Sequence, residues 1–181
     1  MFSHILRPGV ELRPVEPRHA PAIWDRVERD RTHLREWLPW VDNSKSIADV
    51  EAWIDGSLKM YAANDGYAAG IWVENEFAGV LGTHPIQWLY KKVEFGYWLG
   101  ADFVGKGIVS AAARAITTHA FNEWKLNRVE IMCAVGNEKS CAIPRRLGFV
   151  EEGILREAQL LNGRFIDIRL FAMLAKDWQP A

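Results

Sequence analysis

The chain has 181 residues, 49% of them hydrophobic, and its 22 basic and 23 acidic residues leave a formal net charge of −1. This size and apolar content predict one domain, residues 1–181, with one buried core. A nearly neutral chain lacks the positive field that attracts nucleic acid or anionic membrane, so neither is expected as a direct partner. No apolar run approaches the roughly 20 residues of a membrane span. The first residues lack the layout of a secretory signal, which predicts a cytoplasmic protein.

The first half of the chain predicts a strand, two helices and three more strands. A short strand at 10–14 is followed by an amphipathic helix from 16 to about 29. Pro39 interrupts the apolar segment after it, and Ser46 is a suitable N-cap for a second helix. Three β-prone segments with short connections, which predict antiparallel pairing, lie at 67–73, 77–87 and 91–99.

The second half predicts a βαβ unit and then a hairpin. Residues 107–122 carry an apolar stripe at helical spacing and lead into a strand at 128–135, so this strand should pair in parallel with the one before the helix. A helix at 138–147 ends at Gly148. Asn162-Gly163 is a strong hairpin signal between the last two strands, 149–161 and 164–174. Together these elements predict a mixed α+β fold, in which helices flank a sheet with both antiparallel and parallel strand pairs.

The two cysteines, Cys133 and Cys141, form no CxxC pair and have no histidine at a metal-ligand spacing. Neither a disulfide framework nor a zinc site is predicted, and no metal is expected. A helix start near Cys141 favours a reactive thiolate. No histidine with a supporting Asp or Asn is evident beside it, so we interpret both cysteines as packing residues.

A glycine-rich loop lies where the strand VEFGYWL gives way to the helix at 107–122. Backbone N–H groups at a helix start can bind a pyrophosphate without a basic patch, because they carry the positive end of the helix dipole. Gly105 and Gly107 let the backbone approach closely, and Lys106 adds a positive charge. The alternative is a plain glycine turn. The predicted phosphate-binding loop, called the glycine cradle below, comprises Val104, Gly105, Lys106, Gly107, Ile108 and Val109.

The ordered set EFGYWL, GKG, LNRVE, NEKS, RLGF and LLNGR resembles the RimJ/RimL-type ribosomal-protein N-acetyltransferases of the GNAT superfamily and their YdaF-like relatives. The resemblance covers nearly the whole chain and is sharpest over 94–149. It implies the GNAT fold, a mostly antiparallel twisted sheet with a central parallel V-shaped splay and flanking helices. It also implies transfer of acetyl from acetyl-CoA to a primary amine by direct attack. Asp102 departs from the pattern, because the superfamily usually has Gln or Arg there.

The resemblance implies roles for several residues. Strand amides that bond the thioester carbonyl, and so stabilise the tetrahedral intermediate, correspond to Tyr97, Trp98 and Leu99. Asn137 corresponds to a residue that bonds pantetheine, and Ser140 to a serine that returns a proton to sulfur. Pro144 stands where many members have a tyrosine proton donor. Local patterns offer an alternative, in which Asn137 is an N-cap and Ser140 a first-turn helix residue.

Four residues are candidates for the base or its surroundings. The glutamate proposed as base in RimL-like enzymes falls on Gln159, which cannot accept a proton, while Glu157 lies two residues away and should share its strand face. Glu94 corresponds to a common glutamate of the subfamily and could act directly or through water. Its alternative role is an ion pair with a neighbouring lysine or arginine. His84 is a weaker candidate on the third strand of the first half.

The acceptor is expected to be a protein N-terminus. An α-amino group with a pKa near 7.8 is roughly 15% neutral at pH 7, whereas a lysine near 10.4 is neutral to only about 0.04%. An α-amine therefore needs less help from a base, although lysine, a small amine or a polyamine stays open. Trp37 and Trp40, in the segment 34–44, match the substrate-side region of the family, and Trp53 lies near them in sequence. Helix packing is the alternative for these tryptophans, and a homo-oligomer stays open.

Two other readings compete with the transferase. GKGIVS resembles a truncated GxGxxG fingerprint of an oxidoreductase, but Ser110 replaces its last Gly or Ala, and the loop follows antiparallel strands. A GNAT-fold module that binds acetyl-CoA without transferring it is the second. Gln159 and the missing tyrosine keep this module open, and release of CoA on adding an amine would distinguish the enzyme from it.

Overall fold

The computed structural model describes residues 3–179. The helices are α1 (Ala20–Arg29), α2 (Arg31–Arg35), α3 (Ile47–Ala62), α4 (Ile108–Asn122) and α5 (Glu138–Arg146). The strands are β1 (His4–Arg7), β2 (Val10–Pro14), β3 (Ala68–Val73), β4 (Glu76–Thr83), β5 (Lys92–Leu99), β6 (Arg128–Ala134), β7 (Val150–Leu161) and β8 (Arg164–Leu174). The predicted mixed α+β architecture is confirmed.

The eight strands form one sheet in the order β1-β2-β3-β4-β5-β6-β8-β7. Neighbours pair antiparallel except β5 and β6, which are parallel and joined through α4, as the βαβ pattern predicts. Their parallel pairing is short, running from Lys92–Arg128 to Glu94–Glu130. Beyond it β5 stays with β4 through Leu99, while β6 stays with β8 through Ala134. The two central strands therefore diverge, and we call the gap between them the splay.

Helices cover both faces of the sheet because side chains alternate along each strand. Val93 and Phe95 of β5 belong to the buried cluster that includes the apolar stripe of α4. Trp98, at an even-numbered position of β5, packs instead against the cluster formed with α1, α2 and α3. β5 therefore separates two cores.

The structure differs from the sequence-based elements at five places. Pro17–His19 is a 3-10 turn before α1, and the five-residue helix α2 was not predicted because one turn is too short to show a period. The strand predicted over 77–87 ends at Thr83, since Pro85 lacks the N–H that a ladder needs. A 3-10 turn at Trp88–Tyr90 then precedes β5. The edge strand β1 was also missed, because its side chains are mostly exposed and carry no clear alternation.

A buried ion cluster ties α1 to the sheet beside the glycine cradle. Arg26 is 4% exposed, and its guanidinium donates to the carboxylate of Asp30 at 3.1 Å and to the Phe77 carbonyl at 3.1 Å. We expect Arg26→Met to lower the free energy of unfolding by about 3 kcal/mol, because Asp30 stays buried without its cation. Urea denaturation measures this loss. Arg29→Met, which removes a guanidinium that is 54% exposed, is the matched control and should leave stability nearly unchanged. Equal losses in the two variants would contradict the prediction.

Candidate active site

A cavity of about 660 Å³ opens where the end of β5, the glycine cradle and the first turns of α5 meet. Segment 33–38, which begins in the second half of α2, forms its remaining wall. This volume falls in the range of small-molecule and cofactor sites. The cavity therefore collects the glycine loop, the strand end and the NEKS segment that the sequence analysis singled out separately.

The glycine cradle has the conformation that an anion site needs. Gly105 and Gly107 have φ of +81° and +72°, which only glycine adopts without strain, and a Cβ on either would meet nothing within 4 Å. The first backbone bond of α4 runs from the Ala111 N–H to the Gly107 carbonyl at 3.1 Å. The amides of Gly105 to Val109 have no place in the helix ladder. Val104 was predicted to supply an amide as well, but its N–H donates to the Ala101 carbonyl at 3.3 Å and is not free. Open space and free amides together fit a pyrophosphate.

Asp102, the departure from the family pattern, is turned toward α1. Its carboxylate accepts a hydrogen bond from Arg29 and lies 3.8 Å from a guanidinium nitrogen of Arg26. Two cations thus offset its negative charge beside the cradle. The residue secures the loop to α1, so an acidic group at this position is compatible with an anion site.

Arg146 is a site residue that sequence reasoning missed. It lines the cavity, and its guanidinium donates to the hydroxyl of Ser110 at 2.8 Å, which brings a positive charge to the start of α4. In the sequence it reads only as a basic residue in the last turn of α5, where such residues are common. Its role depends on α5 ending beside the start of α4, and local sequence does not encode that packing.

Two of the three predicted amides at the end of β5 face the splay. The Glu94 carbonyl accepts from the His84 N–H at 2.9 Å, and the Gly100 N–H donates to Ala78 at 2.8 Å, so even-numbered residues bond β4. The N–H and C=O groups of successive residues point to opposite edges of a strand. Those of Tyr97 and Leu99 therefore point toward β6, at the part of β5 where the two strands no longer pair. The amide of Trp98 points into the sheet, and its prediction as a carbonyl ligand is wrong for that reason. Its side chain still lines the cavity.

Asn137 and Ser140 lie together at the first turn of α5. The Asn137 carboxamide oxygen accepts from the Ser140 N–H at 3.1 Å, so the N-cap interpretation is confirmed, and both residues also line the cavity. The amide NH₂ of Asn137 is left to face a ligand. The Ser140 hydroxyl lies 3.4 Å from the Tyr97 hydroxyl and 3.4 Å from the Cys133 sulfur.

Glu94 does not line the cavity. It lies half-buried on the face of β5 opposite Tyr97, with a carboxylate oxygen 3.4 Å from His84 Nε2. Burial raises the pKa of Glu94, and repulsion from Glu130 acts in the same direction, while the nearby His84 opposes it. Lys92, one of the neighbouring lysines that could have been its ion-pair partner, bonds Glu130 instead at 3.3 Å. Glu94 is therefore a carboxylate whose proton affinity is higher than that of an exposed glutamate.

A path joins Glu94 to the splay along the surface of β5. A strand rises about 3.3 Å per residue, so Glu94 lies about 10 Å from Tyr97 along β5. Between them Gly96 is exposed, and a Cβ there would meet nothing within 4 Å. The strip above Gly96 is thus wide enough for water. Geometry favours action of Glu94 through water over direct contact with an amine at the splay.

Other predicted substrate-side residues separate in the structure. Trp37 lines the cavity, whereas Trp40 packs against Trp98 with ring centroids 5.8 Å apart, and Trp53 lies partly exposed on α3. Glu157 does not share a strand face with Gln159. A bulge between Leu155 and Gln159 breaks the alternation, φ of Glu157 is +51°, and its N–H bonds Asp167 at 2.8 Å.

Both cysteines are buried and free. Burial raises the pKa of Cys133 to about 12 and also raises that of Cys141. A thiol in this state is protonated near neutral pH, which argues against a cysteine nucleophile. Over residues 3–179 no His, Cys, Asp or Glu side chains cluster in a way that could hold a metal ion. Within the same range no helix has the length and apolar character needed to cross a membrane.

Comparisons with known proteins agree with this geometry. A model of the acetyltransferase (GNAT) domain matches residues 10–150. The putative ribosomal N-acetyltransferase YdaF of Bacillus subtilis is 36% identical, over 99% of this chain and 98% of the relative. The ribosomal-protein-serine acetyltransferase of Escherichia coli is 30% identical, over 92% and 93%.

Solved structures give the same result. RimL, a ribosomal L7/L12 alpha-N-protein acetyltransferase in complex with coenzyme A, superposes with a TM-score of 0.91 at 30% identity, covering 95% of this chain and 97% of RimL. The fold that carries the glycine cradle and the splay in this chain is thus shared with an enzyme whose structure holds coenzyme A. With the family model covering most of its length, the chain belongs to the GNAT family of acetyl-CoA-dependent N-acetyltransferases.

Proposed function

We propose that this enzyme acetylates the N-terminal α-amine of a protein of the ribosomal type. Its relatives named above act on ribosomal proteins, and RimL acts on the α-amine of L7/L12. The base is a half-buried glutamate at a distance from the splay, which suits an acceptor that is already partly neutral at pH 7. We also place the protein in the cytoplasm, because two free buried cysteines suit a reducing compartment.

The residues of the cavity have separate tasks in this transfer. The cradle amides from Gly105 to Val109, with Lys106 and Arg146 at the rim, hold the pyrophosphate of acetyl-CoA. The N–H groups of Tyr97 and Leu99 face the splay and stabilise the oxygen of the thioester carbonyl as it becomes negative. Asn137 offers its NH₂ to the pantetheine arm. The observation that carries the proposal is that the cradle and the splay open into one cavity.

The bond changes follow direct attack. The lone pair of the acceptor nitrogen forms a bond to the carbonyl carbon, and the carbon–sulfur bond breaks with its electron pair on sulfur. Glu94, through water over Gly96, accepts the proton that the nitrogen loses. The Ser140 hydroxyl passes a proton to sulfur and regains one from solvent, to which Glu94 releases the proton that it accepted, so both groups return to their starting states. The products are an acetylated amine and coenzyme A as a thiol.

The proposal is tested by measuring coenzyme A release with peptides and small amines. Peptides with a free α-amine and no lysine should turn over, whereas the same peptides with blocked N-termini and one lysine should be much slower. Spermidine represents the polyamine alternative. Mass spectrometry then locates the acetyl group. Faster turnover of lysine or spermidine would overturn the acceptor assignment, and tight acetyl-CoA binding without release by any amine would favour the binding module.

Ser140→Ala tests the proton donor. We expect kcat to fall about 30-fold, equivalent to about 2 kcal/mol, because the departing sulfur loses a hydrogen bond made as its charge develops. The KM for acetyl-CoA should change little. Steady-state kinetics with the best peptide measures both constants. Ser57→Ala is the control, since that hydroxyl donates only to the Trp53 carbonyl on α3. A kcat equal to that of the unmodified enzyme would remove Ser140 from the mechanism.

A further inference from the structure

The Tyr97 side chain reaches from one arm of the splay to the other. Parallel pairing ends at Glu94–Glu130, and three residues later the Tyr97 hydroxyl donates to the backbone carbonyl of Ser140 at 3.1 Å. Ser140 belongs to α5, which follows β6 after a short turn. The contact therefore links β5 to α5 across the splay. It lies next to the backbone groups of Tyr97 that face the splay.

The same contact places the Tyr97 oxygen beside the Ser140 hydroxyl. Because the phenol proton is used for the Ser140 carbonyl, the phenol oxygen is left as an acceptor, and the Ser140 hydroxyl lies 3.4 Å from it. The other neighbour of this hydroxyl is the Cys133 sulfur, also at 3.4 Å, and sulfur is the weaker acceptor. Burial raises the pKa of Tyr97 well above its ordinary value, so the phenol keeps its proton at neutral pH.

We propose that Tyr97 is a positioning residue for acetyl transfer, which holds the Ser140 hydroxyl at the splay so that it can turn to the departing sulfur. This inference rests on the proposed function, since it assumes that Ser140 returns the proton. The ring of Tyr97 also packs against the core under α4. If Tyr97 only stabilised the fold, this ring contact would account for its role and the hydroxyl would not matter. The hydroxyl and the ring can be tested separately.

Tyr97→Phe removes the hydroxyl and keeps the ring. We expect kcat to fall about tenfold, the usual size of one lost hydrogen bond in a transition state, with the KM for acetyl-CoA unchanged. In a Ser140→Ala background the same substitution should have no further effect, because the group that it positions is gone. Tyr67→Phe is the matched control. Tyr67 is half-buried against the same core, burial raises its pKa to about 12, and it does not line the cavity.

A crystal structure of the Tyr97→Phe protein gives a readout that needs no activity. The Ser140 side chain should occupy a different rotamer or several rotamers. An unchanged single rotamer would overturn the inference, as would an unchanged kcat or an equal loss in the Ser140→Ala background. Failure of the proposed function would look different, because the unmodified enzyme would then release no coenzyme A with any amine.

Discussion

Replacing Glu94 by glutamine should lower kcat/KM for an α-amine peptide by about 100-fold, the lower end of the range for loss of a general base. Glutamine keeps the shape of the side chain but cannot accept the proton of the attacking nitrogen. The raised pKa of Glu94 adds a pH signature. Only the ionised carboxylate can act as the base. When the rate is expressed per neutral amine, it should therefore fall as the pH drops below the pKa of Glu94, which lies above the roughly 4.3 of an ordinary glutamate. In Glu94→Gln this acid limb should disappear.

The measurement is kcat/KM against pH, with each rate divided by the neutral fraction of the peptide amine. Glu157→Gln is the matched control, because that carboxylate is exposed on the bulge of β7 and lies outside the cavity lining. It should retain nearly full activity at every pH. A Glu94→Gln enzyme within about threefold of the unmodified one, or a larger loss in Glu157→Gln, would exclude Glu94 as the base.

Gly107→Val should weaken acetyl-CoA binding about 100-fold, equivalent to about 2.7 kcal/mol. The position has φ of +72° and faces open space at the start of α4, so a branched side chain strains the backbone and fills the volume beside the free amides. Isothermal titration calorimetry measures the dissociation constant directly, without an acceptor.

Gly163→Val separates loss of the anion site from loss of glycine in general. Gly163 has φ of +78°, a Cβ there would also meet nothing within 4 Å, and it lies in the turn between β7 and β8. This control carries comparable backbone strain away from the cradle, so acetyl-CoA affinity should be retained. Thermal unfolding of both variants checks that they fold. Unimpaired binding by Gly107→Val would show that the pyrophosphate lies elsewhere.

Local patterns predicted much of the fold. The helix stripe at 107–122 and the next strand produced the βαβ unit, and α4 with its parallel pair confirms it. Asn162-Gly163 predicted the last hairpin, in which both residues have the positive φ that a tight turn requires. Predictions failed where short or exposed elements carry little periodicity, as in α2 and β1, and at Glu157, where a bulge cancels the alternation of strand faces.

The sequence alone determined the glycine cradle, the order of the elements and the family, because turn chemistry, hydrophobic period and motif order are local properties of the chain. Only the tertiary structure decided which groups meet at the site. Tyr97 reaches Ser140 across 43 residues of sequence, and Arg146 reaches Ser110 across 36. The tertiary structure also showed that Asp102 forms ion pairs with Arg26 and Arg29 of α1, and that Glu94 lies on the face of β5 opposite Tyr97. Such contacts depend on how helices and strands pack around the splay, and no local pattern specifies that packing.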